Sequence, residues 1–282
     1  MPSIPLCLNL RDAFPLSCKE QIRVLRDLGF SGFFSHWRED MDIAALRRCA
    51  EREDMLYQSI HAPFRGTELL WTDAPEGDAI LAMLLRCLQD CARNGIPVMV
   101  MHASLGFDKA PAVPESPARF APLFQAAEKY GVRLAVENVD HPRRFHAMMR
   151  YFQHSPALGF CWDTGHERCY SGGEDHLAHY GQQLVATHLN DNLGMRAPAG
   201  QLDTRDDLHL LPYDGTADWD ALMARLARCG YRGPLTFELK HTGRPSQHEC
   251  ARYAAMSPET YLSAAAQRAR QVADAFLRHC GA

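Results

Sequence analysis

Short apolar runs recur along this chain, and several end in a histidine or a carboxylate. Ser59-Ile60 ends at His61, Val98-Met99-Val100-Met101 at His102, and Leu134-Ala135-Val136 at Glu137. Leu158-Gly159-Phe160-Cys161-Trp162 ends at Asp163, Leu184-Val185-Ala186-Thr187 at His188, and Leu235-Thr236-Phe237 at Glu238. Runs this short, bounded by turn residues, read as buried strands. The expected strands cover residues 4–10, 32–35, 56–61, 98–102, 133–138, 159–163, 184–188 and 234–238. Between them apolar residues repeat at helical spacing, predicting helices over 17–28, 42–52, 78–93, 117–130, 145–152, 176–180, 218–229 and 258–278. Ser17 with Glu20 forms a capping box, and Gly29 stops the helix that it opens. Pro117 opens another, closed by Gly131.

Strands that alternate with helices, without a break in composition, predict one α/β domain. The fold expected over residues 1–282 is a single (β/α)8 TIM barrel. A doubly wound open sheet is the alternative, but it would spread the strand-end polar residues along a crevice. The longer loops follow His61, His102 and His188. All three leave the C-terminal ends of strands, where barrels build their sites.

Burying a lone histidine or carboxylate is costly, so polar residues that finish apolar strands want a shared partner. Imidazole nitrogen and carboxylate oxygen are the ligands of zinc and similar divalent ions. Two motifs enlarge the set. Asp163-Thr-Gly-His166 adds a histidine where the chain turns after a strand, and Asp207-Leu-His209 presents two side chains to one side if extended. The candidates are then His61, His102, Glu137, Asp163, His166, His188, Asp207, His209 and Glu238. His36 and Trp37, at the end of the second strand, are candidates for stacking on a sugar ring. Asp191, in the seventh loop, and Lys240, two positions past Glu238, complete the candidate substrate contacts. His141, His146, His154, His176, His179, His241 and His248 lack comparable positions and read as surface or capping residues.

Composition narrows the partners. The 282 residues are 46% hydrophobic, enough for a full core, and the net charge of −4 supplies no broad cationic field. That argues against nucleic acid and for a small, sugar-like substrate. A homo-oligomer is compatible with the sequence. The start, Met1-Pro2-Ser3-Ile4-Pro5, lacks the basic segment and apolar run of a secretion signal. No apolar stretch approaches the ~20 residues that cross a bilayer. Ten scattered cysteines include no C-x-x-C pair, as expected of buried thiols in a reducing compartment. A cytoplasmic protein without a membrane partner is expected.

The segments Ser59-Ile-His-Ala-Pro63, Val136-Glu-Asn138, Cys161-Trp-Asp-Thr-Gly-His166, His188-Leu-Asn-Asp-Asn192, Asp207-Leu-His-Leu-Leu-Pro-Tyr-Asp-Gly215 and Phe237-Glu238 occur in order. Together they resemble the xylose-isomerase-like barrels, which group sugar and sugar-phosphate isomerases and epimerases with endonuclease IV. The resemblance implies the epimerases' metal site at Glu137, Asp163, His188 and Glu238. An endonuclease-IV-like trinuclear site would add His61, His102, His166, Asp207 and His209. One to three divalent ions per chain, Zn2+ or Mn2+, are implied. The expected activity is isomerisation or epimerisation of a small sugar or polyol derivative through a metal-stabilised enediolate. Glu137 and Glu238, from strands facing across the barrel axis, would be its acid and base. The alternative is an endonuclease-IV-like phosphodiesterase (AP endonuclease family 2) with a polynuclear zinc centre. A non-catalytic barrel binding a sugar or a metal is a third reading. Two positions depart from the usual epimerase pattern: Asn-Val-Asp-His-Pro follows Glu137, and the last loop reads Pro212-Tyr-Asp-Gly215.

Overall fold

The computed structural model describes residues 4–11, 14–104, 116–139, 142–196, 203–243 and 248–281. Eight parallel strands follow one another around a barrel: β1 (Leu6–Asn9), β2 (Gly32–His36), β3 (Leu56–His61), β4 (Val98–His102), β5 (Arg133–Glu137), β6 (Leu158–Asp163), β7 (Leu184–His188) and β8 (Leu235–Phe237). Their order, β7-β6-β5-β4-β3-β2-β1-β8, sets each strand beside its sequence neighbours, as the sequence predicts for a TIM barrel. The seam between β7 and β8 is closed partly by a side chain. Leu189 N donates to Thr236 O at 2.9 Å, while Thr187 Oγ1 accepts from Thr236 N at 3.0 Å and donates to its carbonyl at 3.3 Å.

The helices are α1 (Cys18–Asp27), α2 (Ile43–Arg52), α3 (Gly77–Arg93), α4 (Ala121–Tyr130), α5 (Pro142–Tyr151), α6 (Thr164–Tyr170), α7 (His176–Tyr180), α8 (Trp219–Arg228), α9 (Ala251–Ala254) and α10 (Pro258–Cys280). The expected capping box is present, with Glu20 N donating to Ser17 Oγ and Ser17 N to the Glu20 carboxylate. Two short helices, α6 and α9, are additional to those that the sequence predicts. Among the described residues no helix is long and apolar enough to cross a membrane.

Strand alternation sorts side chains into two cores. Met99, Met101, Leu134, Val136, Phe160 and Trp162 join the large apolar layer that includes the helices. Val98, Val100, Ala135, Cys161 and Ala186 form a separate cluster. These residues share the parity of His102, Glu137, Asp163 and His188 on the same strands, so they fill the barrel beneath those polar groups. The register sets His36 beside His61, His102 beside Glu137, and Asp163 beside His188. One row of polar side chains therefore rims the C-terminal end of the barrel.

Candidate metal centre

Glu137 is the hub of that row. It is completely buried at the end of β5, and both carboxylate oxygens face histidines. Its Oε2 lies 3.2 Å from His61 Nε2 and 3.1 Å from His102 Nε2. Its Oε1 lies 3.0 Å from His188 Nδ1 and 3.4 Å from His166 Nδ1. Burial works against a charge on Glu137, but His188, His102 and His166 outweigh it and hold the carboxyl well below its usual range. His188 shows the complementary effect. Burial opposes its protonation, yet the carboxylates of Glu137 and Glu238 raise its pKa well above the ordinary imidazole value.

Glu238, just past β8, reaches the same point from the other side. Its Oε2 lies 3.3 Å from His188 Nδ1 and 3.8 Å from His209 Nδ1, while Oε1 lies 3.4 Å from His36 Nε2. Asp163 ends β6 and caps α6, accepting from His166 N at 2.7 Å. Asn190 Nδ2 donates to both Asp163 oxygens, at 3.1 and 2.9 Å, and Asn138 pairs with the Asp163 backbone. Gly165 is required here, because a Cβ at that position would stand 2.0 Å from Asn190 Oδ1.

Asp207 and His209 arrive by the long loop after β7. Asp191 and Leu210 exchange backbone hydrogen bonds at 3.0 and 2.8 Å, folding the loop back across the mouth. His209 adopts the left-handed region, with φ of 48°, which non-glycine residues rarely occupy. Its ring meets the Asp207 carboxylate at 2.9 Å, and His166 Nε2 lies 3.8 Å from Asp207 Oδ1. Strain at a side chain aimed into a polar cluster is a mark of a functional position.

Eight of the nine candidate ligands gather into donor groups, and Asp207 joins them through its contacts with His166 and His209. Donor atoms of Glu137, Asp163, His188 and Glu238 lie within 4.8 Å of one another, as do those of His61, His102 and Glu137, and of Asp163, His166 and His209. Imidazoles and carboxylates at this density are a hard-to-borderline donor set suited to a divalent ion. Buried ring nitrogens of His102, His166 and His188 have no hydrogen-bond partner among the described residues, which fits the same group. The residues therefore suit a divalent metal.

Two expected substrate contacts lie elsewhere. Trp37 points away from the mouth, because successive strand residues face opposite sides. It is buried, and its Nε1 donates to Asp90 on α3 at 2.8 Å. Asp191 is wholly committed to its loop. It accepts from Asn192 N, Ala217 N, Tyr213 N and Trp219 Nε1 at 2.9, 3.1, 3.0 and 2.9 Å. A Cβ at Gly215 would meet Asp191 Oδ1 at 2.3 Å, which explains that glycine. His36 and Lys240 do line the mouth. The Lys240 ammonium is 3.1 Å from Asp207 Oδ2.

A cavity of about 200 Å³ opens over the cluster, and Arg11, Phe64, Val139 and Tyr170 join its walls. These were missed from sequence. Phe64 stacks on His102 at 4.6 Å, and its place three residues after His61 was the available signal. Cys161 was read as an ordinary buried thiol, yet its sulfur lies with the donor atoms of Glu137 and His188. Burial pushes that thiol up to about 12, so it stays protonated. His176 and His241 were expected at the surface or as caps but are buried. His141 lies outside the described residues.

Known proteins share this fold. A solved structure described as IOLI protein with a binding zinc atom superposes with a TM-score of 0.74, at 18% identity, over 97% of this chain and 99% of that one. The 3-keto-D-glucoside 4-epimerase YcjR from E. coli gives 0.65 at 17% identity, over 89% and 98%. At these identities the likeness shows the fold. The curated protein y4fM of Sinorhizobium fredii (strain NBRC 101917 / NGR234), itself uncharacterized, is 32% identical over 160 residues, 52% of this chain and 48% of that protein. The matched region thus spans about half the length of that relative. The profile of the xylose-isomerase-like TIM barrel matches residues 22–271, and the chain belongs to that family.

Proposed function

We propose that the protein is a divalent-metal-dependent isomerase or epimerase of a small sugar or polyol derivative. The observation that carries this reading is the approach of two carboxylates to one point, Glu137 at 3.0 Å and Glu238 at 3.3 Å from His188 Nδ1, beneath a small cavity. Glu137, Asp163, His188 and Glu238 would hold the ion. When bound, it polarises the substrate carbonyl and offsets the negative charge that proton removal leaves.

The two carboxylates expected as acid and base differ in their surroundings. Both oxygens of Glu137 face histidines, which suits a shared ligand. Glu238 keeps Oε1 towards His36 at the mouth and is the better base. His36 Nε2, 3.4 Å from Glu238 Oε1, is placed to relay the proton from Glu238. Lys240 and Arg11 supply positive charge at the wall for oxygen atoms of the substrate. The likeness to a sugar epimerase supports the substrate class.

The test is proton exchange. Metal-loaded protein incubated with ketoses in D2O should incorporate deuterium beside the carbonyl, and Glu238→Gln should abolish this. The gathering of His61, His102, His166 and His209 around Glu137 and Asp163 favours a second reading, a polynuclear phosphodiesterase. Nicking of abasic-site duplex DNA by the metal-loaded protein, lost in Glu238→Gln, would replace the sugar reading.

A further inference from the structure

A second group of donors lies outside the barrel mouth, where α5 meets the turn after α6 and the start of α7. His146 on α5 is partly buried. Its Nδ1 lies 2.7 Å from the Tyr180 hydroxyl and its Nε2 3.1 Å from Glu174 Oε2. His176, the first residue of α7, is 1% exposed. Its Nδ1 is 3.4 Å from Glu167 Oε2. Its Nε2 is buried without a hydrogen-bond partner among the described residues and lies 4.0 Å from the same Glu174 oxygen.

Two groups stand 3.4 Å from His176 Nδ1, the Ser171 hydroxyl and the Glu167 carboxylate. Glu167 is held by Trp162 Nε1 at 3.0 Å and by two Arg225 nitrogens at 2.7 and 3.1 Å, so its carboxylate cannot swing away. With the Nδ1 proton directed at Glu167, the Nε2 lone pair is buried and faces a carboxylate. Two acceptors turned towards each other want a cation between them. A fixed carboxylate behind a histidine is also how proteins orient zinc ligands.

We infer that His146, Glu174 and His176 form a second metal site, a structural one for zinc. Their donor atoms lie within 4.8 Å of one another. Tetrahedral zinc with bonds of about 2.1 Å sets its ligand atoms about 3.4 Å apart. The contacts of 3.1 and 4.0 Å straddle that spacing. His179 Nε2 approaches the other Glu174 oxygen at 3.5 Å but lies outside this group, so three protein side chains would hold the ion. The ion ties α5 to the turn and to α7. It does not depend on the chemistry at the barrel mouth.

The test compares full-length wild type with the double variant His146→Ala/Glu174→Gln, each stripped with a chelator, reloaded with Zn2+ alone and desalted. Both sites are partly exposed, so the variant should fold. The expected result is one zinc fewer per chain, a smaller zinc-induced rise in Tm, and one tetrahedral cobalt fewer on Co2+ substitution. His176→Ala should reproduce the loss. Equal zinc content and equal zinc-induced Tm shifts in wild type and double variant would overturn the site and leave a hydrogen-bonded network around His146 and Glu174.

Discussion

Glu137 Oε1 and His188 Nδ1 stand 3.0 Å apart on two completely buried side chains. Neither could be left there alone, and the pair is embedded among further ligands that repeat the same complementarity. A metal ion would replace the protons that now hold these groups together. Glu137→Gln should therefore abolish metal retention at the centre and lower activity by roughly 10²-fold or more. Elemental analysis beside turnover checks this; full metal content in the variant would contradict it.

The same pair makes the stability of the metal-free protein depend on pH in both directions. Glu137 sits well below its ordinary 4.5, so its contribution is present above that value and is lost as pH falls through the folded pKa. His188 sits well above its ordinary 6.5, so its contribution is present below 6.5 and is lost as pH rises through the folded pKa. Denaturant midpoints in chelator should peak between about pH 4.5 and 6.5 as far as these groups decide. Metal should remove the loss on the alkaline side, because it takes the place of the proton.

Gly165→Ala should weaken the centre without touching a ligand. The added methyl group meets Asn190 Oδ1 at 2.0 Å, and Asn190 orients Asp163. Overpacking of this kind costs about 1–3 kcal/mol. Zinc affinity measured by competition with a chelator should fall together with stability.

Asp191→Ala should act on the fold of the seventh loop. It strands four donors around a fully buried position, at about 3 kcal/mol or more in total. Chemical denaturation measures the cost. Loss of substrate affinity with unchanged stability would restore Asp191 as a direct contact.

His36 and Trp37 should separate cleanly. His36→Ala removes the group beside Glu238 and should lower kcat by roughly 10²-fold. Trp37→Phe loses the Asp90 hydrogen bond, worth about 1 kcal/mol of stability, and should leave KM unchanged.

That contrast also marks what could be read from the chain. The apolar runs ending in His61, His102, Glu137, Asp163, His188 and Glu238 gave both the barrel and its polar rim, because strand order alone brings their ends together. Trp37 was misjudged although the period of two was available, since a residue next to an inward His36 must face outward. Asp191 was harder. Its donors come from residues 192–219 and meet it only after the loop closes. The His146, Glu174 and His176 cluster left no pattern in sequence for the same reason, as its members end no strand and depend on how α5 and α7 pack.

Diffraction with anomalous scattering, on crystals grown with saturating Zn2+ or Mn2+, tests the metal centre most directly. The expected result is a peak among Glu137, Asp163, His188 and Glu238, with further peaks beside His61, His102 and His209 if the centre is polynuclear. Crystals of the metal-saturated protein with no anomalous peak at Glu137 would contradict it.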